Sequence, residues 1–168
     1  MNSSSLPAIA PLTEADWPAV AAIYAEGIAG GNATFETSVP DWASWNAAHA
    51  PECRLTARVA GEIVGWAALT PVSGRCVYAG VGEVSVYVAA RAHGQGIGTA
   101  LLSALIDASE QAGYWTLQAG ILRENSASIA LHERCGFRRV GYRERLGQLA
   151  GVWRDVLLFE RRSAINGR

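Results

Sequence analysis

The segment that most limits what this chain can become is Gly94-Gln95-Gly96-Ile97-Gly98. It follows an alternating apolar run, Val84-Ser85-Val86-Tyr87-Val88, and opens into Leu101, Leu102, Leu105 and Ile106 at helical spacing. A strand that feeds a glycine-rich turn and then a helix start builds an anion cradle. No Cβ atom keeps the backbone off a phosphate, the N–H groups of the first helical turn are free to point at it, and the helix dipole favours its charge. The first expectation is therefore a phosphate-bearing cofactor. A dinucleotide fingerprint is excluded, because one starting at Gly94 requires Gly or Ala at position 99, which is Thr99, and one starting at Gly96 requires it at 101, which is Leu101. No loop ending in Gly-Lys-Ser or Gly-Lys-Thr occurs either.

At 168 residues the chain is long enough for one well-cored domain and too short for two of typical size. Half the residues are hydrophobic and 17% are charged, an apolar balance that suggests a buried subunit interface. Fourteen basic against fifteen acidic residues leave a formal charge of −1 with no basic stripe, which argues against a nucleic-acid partner. No stretch reaches the length of a membrane span, and Met1-Asn2-Ser3-Ser4-Ser5 lacks the charge and apolar run of a secretion signal, so a cytoplasmic protein without membrane contact is expected. Cys53, Cys76 and Cys135 are widely spaced and odd in number, and the histidines are three (His49, His93, His132), so reduced thiols and no metal are expected.

Thr13 with Asp16 reads as a capping box, and Val20, Ile23, Tyr24 and Ile28 follow at helical spacing, predicting a helix over roughly 14–29 that Gly30-Gly31-Asn32 ends. Asp41 caps a short helix carrying Trp42 and Trp45. Leu55–Val59 and Ile63–Leu69 flank Gly61-Glu62 as a hairpin, and a third strand covers roughly 79–88. A helix over roughly 97–112 ends at Gly113, Trp115–Ile121 is a strand, and Asn125 caps a helix that stops at Gly136. Phe137–Gly141 begins another strand, and a last one spans roughly Val152–Phe159. The pattern predicts an α/β domain over 7–162, a mixed, mostly antiparallel sheet with helices on both faces, flanked by a disordered tail at 1–6 and a loose one at 163–168.

The register His93-Gly94-Gln95-Gly96-Ile97-Gly98 resembles the pyrophosphate loop of the GCN5-related N-acetyltransferase (GNAT) superfamily, with His93 where that family carries Gln or Arg. Further stretches resemble its phosphinothricin and methionine-sulfoximine acetyltransferase branch: Ala33-Thr34-Phe35-Glu36, Gly82–Val88, Asn125–Glu133, Cys135-Gly136-Phe137 and Gly151–Val156. Leu149 departs from the branch, whose members often carry Lys there. The resemblance implies the GNAT fold, acetyl-coenzyme A bound along residues 93–99 and the helix after Asn125, and a homodimer.

Acetyl transfer to an amine needs a positioned thioester, a neutral nucleophile and stabilisation of the developing oxyanion. The resemblance places main-chain donors for the pantetheine arm and acetyl carbonyl at Val86 and Val88. It places further cofactor contacts at Asn125 and Ser128, on one helical face with His132. Glu83 shares a strand face with Ser85 and Tyr87 and is the candidate general base, with apolar neighbours expected to desolvate it; by itself the residue reads more readily as a strand Glu paired with an Arg, and the resemblance reverses that preference. His132 stands where many members have a Tyr that protonates the leaving thiolate, or else is an ordinary surface histidine. Arg75 is a candidate fork for a substrate carboxylate, and Phe35 and Tyr78 for an apolar wall; a solvated loop Arg and core aromatics are the alternatives.

Together these imply an acyltransferase that acetylates the α-amine of a small amino acid or analogue by direct transfer. The rivals are acetylation of a peptide N-terminus or an aminoglycoside, and a coenzyme A-binding sensor without turnover.

Overall fold

The computed structural model describes residues 6–168; the N-terminal tail expected at 1–6 lies outside them except for Leu6. Strand β1 (Ala8–Pro11) precedes a 3₁₀ turn, Glu14–Asp16, and helix α1 (Trp17–Ala29). Helix α2 (Trp42–Ala48) leads to strands β2 (Arg54–Val59) and β3 (Glu62–Pro71), a 3₁₀ turn at Cys76–Tyr78 and β4 (Val81–Val88). A last short turn, Ala90–Ala92, precedes α3 (Ile97–Gln111), β5 (Thr116–Leu122), α4 (Ser126–Arg134), β6 (Arg138–Leu149) and β7 (Val152–Arg162). The strands form one sheet in the order β1-β2-β3-β4-β5-β7-β6, antiparallel at every junction except β4–β5, which is parallel. The mixed α/β sheet read from the sequence is the one observed.

Each face of the sheet buries a separate cluster. On one, the apolar stripe of α3 (Leu101, Leu102 and Leu105, all fully buried) lies on Ala57, Ala67, Val84 and Leu117. Burying each such leucine contributes roughly 1.5–3 kcal/mol. Gly65 makes the approach of α3 possible: a Cβ there would stand 2.9 Å from Leu101 Cδ1 and from the Tyr87 carbonyl oxygen. On the other face α1 and α2 bring Val20, Ile23 and Trp45 onto Trp66 and Ala68. There Tyr87 stacks on Trp66 with ring centres 4.7 Å apart, and Tyr24 meets both edge-on.

Three differences from the sequence reading have local causes. β1 was not anticipated, because four residues ending in Pro11 carry no alternation by themselves; β2 recruits them, pairing Ala8 with Arg58 and Ala10 with Thr56. The first helix begins as a 3₁₀ turn, since Asp16 accepts hydrogen bonds from Thr13 N and Oγ1 at 2.9 and 3.1 Å and an ion pair from Arg58 at 2.6 Å, which hold that turn tight. β6 runs on to Leu149 through register shifts at Arg139/Gly141 and Arg143/Gly147, with Arg145 at φ +46°. Asp155 holds that irregularity, accepting from Arg145 N at 2.7 Å and from the Tyr142 hydroxyl.

Residues 163–168, expected loose, are tied back to the body. The Asn166 amide donates to the Glu110 and Tyr114 carbonyls at 2.7 and 2.9 Å.

Candidate active site

β4 and β5 run side by side for only three registered pairs, Val81–Thr116, Gly82–Leu117 and Glu83–Gln118, and then diverge. β4 continues to Val88 along β3 alone. Its orientation follows from parity: the Val81 carbonyl accepts from Val72 and the Ala89 N–H donates to Val64, so odd-numbered residues of β4 turn their main-chain groups toward β3. Val84 therefore closes the ladder with β5 at the Glu83–Gln118 pair, and Val86 and Val88 direct theirs into the gap that β5 has left. A row of unpaired amides facing a cleft is what the sequence reading assigned to Val86 and Val88.

The edge leads straight into the glycine turn. Gly94 and Gly96 adopt φ +74° and +79°, and a Cβ on either would meet no atom within 4 Å, so both face open space. Gly96 is the N-cap of α3, and the first-turn N–H groups of Ile97, Gly98 and Thr99 have no acceptor within the helix. Main-chain donors at the mouth of an open, positively polarised helix end fit the diphosphate of an acyl-coenzyme A. The side chains of the loop serve other ends. Ile97 is buried in the core, and the missing Cβ of Gly98 makes room for Leu131 of α4, 3.2 Å away. Gln95 folds back to the Arg91 carbonyl at 3.1 Å. His93 also turns inward, its Nε2 donating to the Val88 carbonyl at 2.9 Å; the histidine braces the strand end instead of reaching outward. Thr99 Oγ1 accepts from Arg134 at 3.3 Å, which sets a guanidinium beside the cradle that the sequence reading passed over.

Helix α4 flanks the cleft. Asn125 caps it, accepting from Ser128 N at 3.1 Å. His132 is 4% exposed, not a surface residue. Its Nδ1 donates to the Ser128 carbonyl at 2.7 Å, with the Ser128 hydroxyl at 3.3 Å, and its ring packs edge-on against Phe137. Burial holds the His132 pKa below its ordinary value. A neutral ring whose Nδ1–H is committed carries a lone pair on Nε2, so it is an acceptor and not an acid near neutral pH. The Cys135 thiol makes no bond to the His132 ring; its Sγ stands 4.0 Å from Ser103 Oγ, and only its main-chain N–H reaches His132, donating to the carbonyl at 3.1 Å.

Glu83 occupies the fork. Its carboxylate accepts from Gln118 Nε2 at 2.9 Å, and no Arg or Lys among the described residues pairs with it. It is exposed, so the apolar enclosure expected around it is not present. Thr70 stands opposite on β3, and the Cys76–Tyr78 turn enters β4 just before it. In that turn the Arg75 guanidinium lies 5.5 Å from the centre of the exposed Tyr78 ring and binds no carboxylate, while Phe35 packs against Gly147 of β6. Arg75 and Tyr78 thus form one group, at the turn that leads into β4, and Phe35 another, on the loop after α1.

Besides Arg134, sequence reasoning missed two residues here. Gln118 gives no local signal, because only the register of β5 sets it beside Glu83. Arg154 of β7, 12% exposed, donates to Gly31 O, Asn32 Oδ1 and Glu124 Oε2 at 2.9, 2.6 and 2.9 Å, tying the loop after α1 to the loop before α4. Among the described residues no group of three or more His, Cys, Asp or Glu could hold a metal, and no helix is long and apolar enough to cross a membrane.

A family model described as acetyltransferase (GNAT) family matches residues 14–137. The chain is 36% identical over 152 residues to the phosphinothricin N-acetyltransferase of Alcaligenes faecalis, covering 87% of this chain and 77% of that one. It is 33% identical to the L-methionine sulfoximine/L-methionine sulfone acetyltransferase of Pseudomonas paraeruginosa, covering 87% and 88%. A solved phosphinothricin acetyltransferase from Sinorhizobium meliloti in complex with acetyl-coenzyme A superposes with TM-score 0.85 at 28% identity, over 96% of this chain and 90% of that one. A ribosomal-protein-alanine N-acetyltransferase from Brucella melitensis reaches TM-score 0.85 at 34% identity, over 93% and 99%.

Proposed function

The chain belongs to the GNAT family of acetyltransferases, and we propose that it transfers the acetyl group of acetyl-coenzyme A directly to the α-amine of a small amino acid or analogue. Phosphinothricin, methionine sulfoximine and methionine sulfone are the acceptor type, in keeping with the named activities of its relatives. The observation that carries the reading is the edge of β4 beyond its last pairing with β5, where the N–H groups of Val86 and Val88 lie outside the ladder and the strand runs into the glycine cradle.

The diphosphate lies on the N–H groups of Ile97, Gly98 and Thr99, with Arg134 alongside, and the pantetheine arm runs between β4 and the Asn125 end of α4. The edge amides at Val86 and Val88 donate to the acetyl carbonyl oxygen, where preorganised donors stabilise the charge that develops as the amine attacks. Glu83 accepts the ammonium proton, directly or through one water, and Gln118 fixes the carboxylate for that role. Arg75 pairs with the acceptor carboxylate, and Phe35 and Tyr78 flank its side chain. His132 supports α4 and does not protonate the thiolate; solvent does. β6 and β7 expose Val140, Tyr142, Leu146, Val152 and Trp153, which supports a homodimer formed through that hairpin.

A second reading, acetylation of a protein N-terminal alanine, is favoured by the likeness to the Brucella melitensis enzyme. A thiol-release assay with acetyl-coenzyme A separates them. Methionine sulfone, methionine sulfoximine and phosphinothricin are expected to be acetylated and an Ala-initiated peptide spared; the reverse preference installs the second reading, and no transfer to any amine removes both.

A further inference from the structure

Two loops carry the two halves of the reading above. The loop leaving α1 presents Phe35 to the acceptor, and the loop entering α4 presents Asn125 to the cofactor. They are joined through Arg154, whose guanidinium comes from β7 and lies 12% exposed between them. Nη1 donates to the Gly31 carbonyl at 2.9 Å, and Nη2 to Asn32 Oδ1 at 2.6 Å and to Glu124 Oε2 at 2.9 Å. Gly31 and Asn32 open the segment that leads to Phe35, and Glu124 directly precedes the cap residue Asn125.

We propose that Arg154 is a positioning residue for acetyl transfer: it fixes the acceptor-side loop against the cap of α4, so that acceptor affinity depends on a side chain that touches neither substrate. The proposal rests on the roles given above to Phe35 and Asn125. A planar guanidinium presents its donors in a rigid fork and can hold acceptors from two segments at set angles, whereas an ammonium is a point charge on a flexible stem. Charge assistance makes the bond to Glu124 the strongest of the three. The loop has a second, apolar point of attachment, since Phe35 lies against Gly147 of β6, where an added Cβ would come within 3.0 Å of its ring. Losing Arg154 therefore leaves the loop docked but free to pivot.

The test compares Arg154→Met and Arg154→Lys with Asn32→Ala and Glu124→Gln. Amide hydrogen exchange on the ligand-free protein is expected to rise tenfold or more in both 30–36 and 123–126 for Arg154→Met, with β2 and β3 unchanged and Arg154→Lys intermediate. Acceptor KM is expected to rise about tenfold with kcat within threefold, a split that a mere loss of folded protein does not produce. The effect of Asn32→Ala on KM vanishes in the Arg154→Met background. Exchange that rises in one segment only or in neither, or additive effects of Asn32→Ala and Arg154→Met, overturns the proposal. Should Arg154→Met not fold, Arg154→Lys and Glu124→Gln decide by the same exchange readout. Wild-type protein that acetylates no amine refutes the enzymatic reading alone, because ligand-free exchange still judges the strut.

Discussion

Glu83 and Gln118 are the last residues of β4 and β5 to face each other, and Gln118 Nε2 donates to Glu83 Oε2 at 2.9 Å across the point where the strands part. The pair sets a carboxylate at the apex of the fork and fixes its rotamer. Since general bases contribute roughly 10²–10⁴ in rate, Glu83→Gln is expected to lower kcat about 100-fold or more. Coenzyme A affinity by calorimetry should stay within about twofold, because the carboxylate lies apart from the cradle. A variant as active as wild type at pH 7 removes Glu83 from the role.

The cradle predicts a loss of the opposite kind. Gly96 holds φ +79° with nothing near its would-be Cβ, so Gly96→Ala costs only the left-handed backbone, about 1–2 kcal/mol. Coenzyme A affinity is expected to fall about tenfold. Gly61→Ala, at φ +83° in the β2–β3 hairpin and equally open, serves as control: it lowers the melting temperature alike and leaves coenzyme A affinity unchanged. Equal affinities for the two variants would show that the turn at Gly96 binds nothing.

His132 makes stability depend on acid pH. Burial depresses its pKa in the fold, so between the ordinary value near 6.5 and the lowered one the unfolded chain binds the extra proton, and stability rises with pH. The contribution is complete above about 6.5 and is lost as pH falls through the depressed pKa. Melting temperature should therefore drop between pH 7.5 and 5, and His132→Asn should flatten the drop. His49, half-buried against Trp45, is depressed for the same reason and leaves a residual slope. His132→Asn should also retain kcat within about tenfold; collapse of kcat in a folded variant would restore the acid role.

Arg75, stacked on Tyr78 and in no ion pair among the described residues, tests the acceptor. Arg75→Ala is expected to raise the KM of amino-acid acceptors about tenfold or more while kcat changes little, since a charge-assisted hydrogen bond is worth about 1.5–3 kcal/mol. The corresponding amino-acid amides, lacking the carboxylate, should show no such rise. Equal effects on acids and amides would mean that Arg75 recognises something else.

Much of this arrangement was legible in the residues because it is written locally. The glycine turn, the Asn125 cap, the alternation of β4 and the stripe of α3 follow from allowed backbone angles and from periodicities of 2 and 3.6 residues, each spanning a handful of positions. β1 and the far half of β6 lacked such a signal: one is four residues recruited by a neighbour, the other is broken by irregularities that Asp155 stabilises across the hairpin. The environment of Glu83 was also beyond local reading, because β5 departs from it where a continuing strand would have covered it.

By itself the sequence determined the helices, the strands other than β1 and the far half of β6, and where a chain of this kind can hold a diphosphate. Tertiary structure alone decided that β4 and β5 separate at Glu83, that His132 is sealed in as a neutral ring, that His93 turns back to Val88, and that one arginine of β7 binds two loops. The reason is distance along the chain. Backbone propensity acts over a few residues, whereas strand register, burial and the bonds of Arg154 join partners 30 to 123 positions apart and exist only once the sheet has closed.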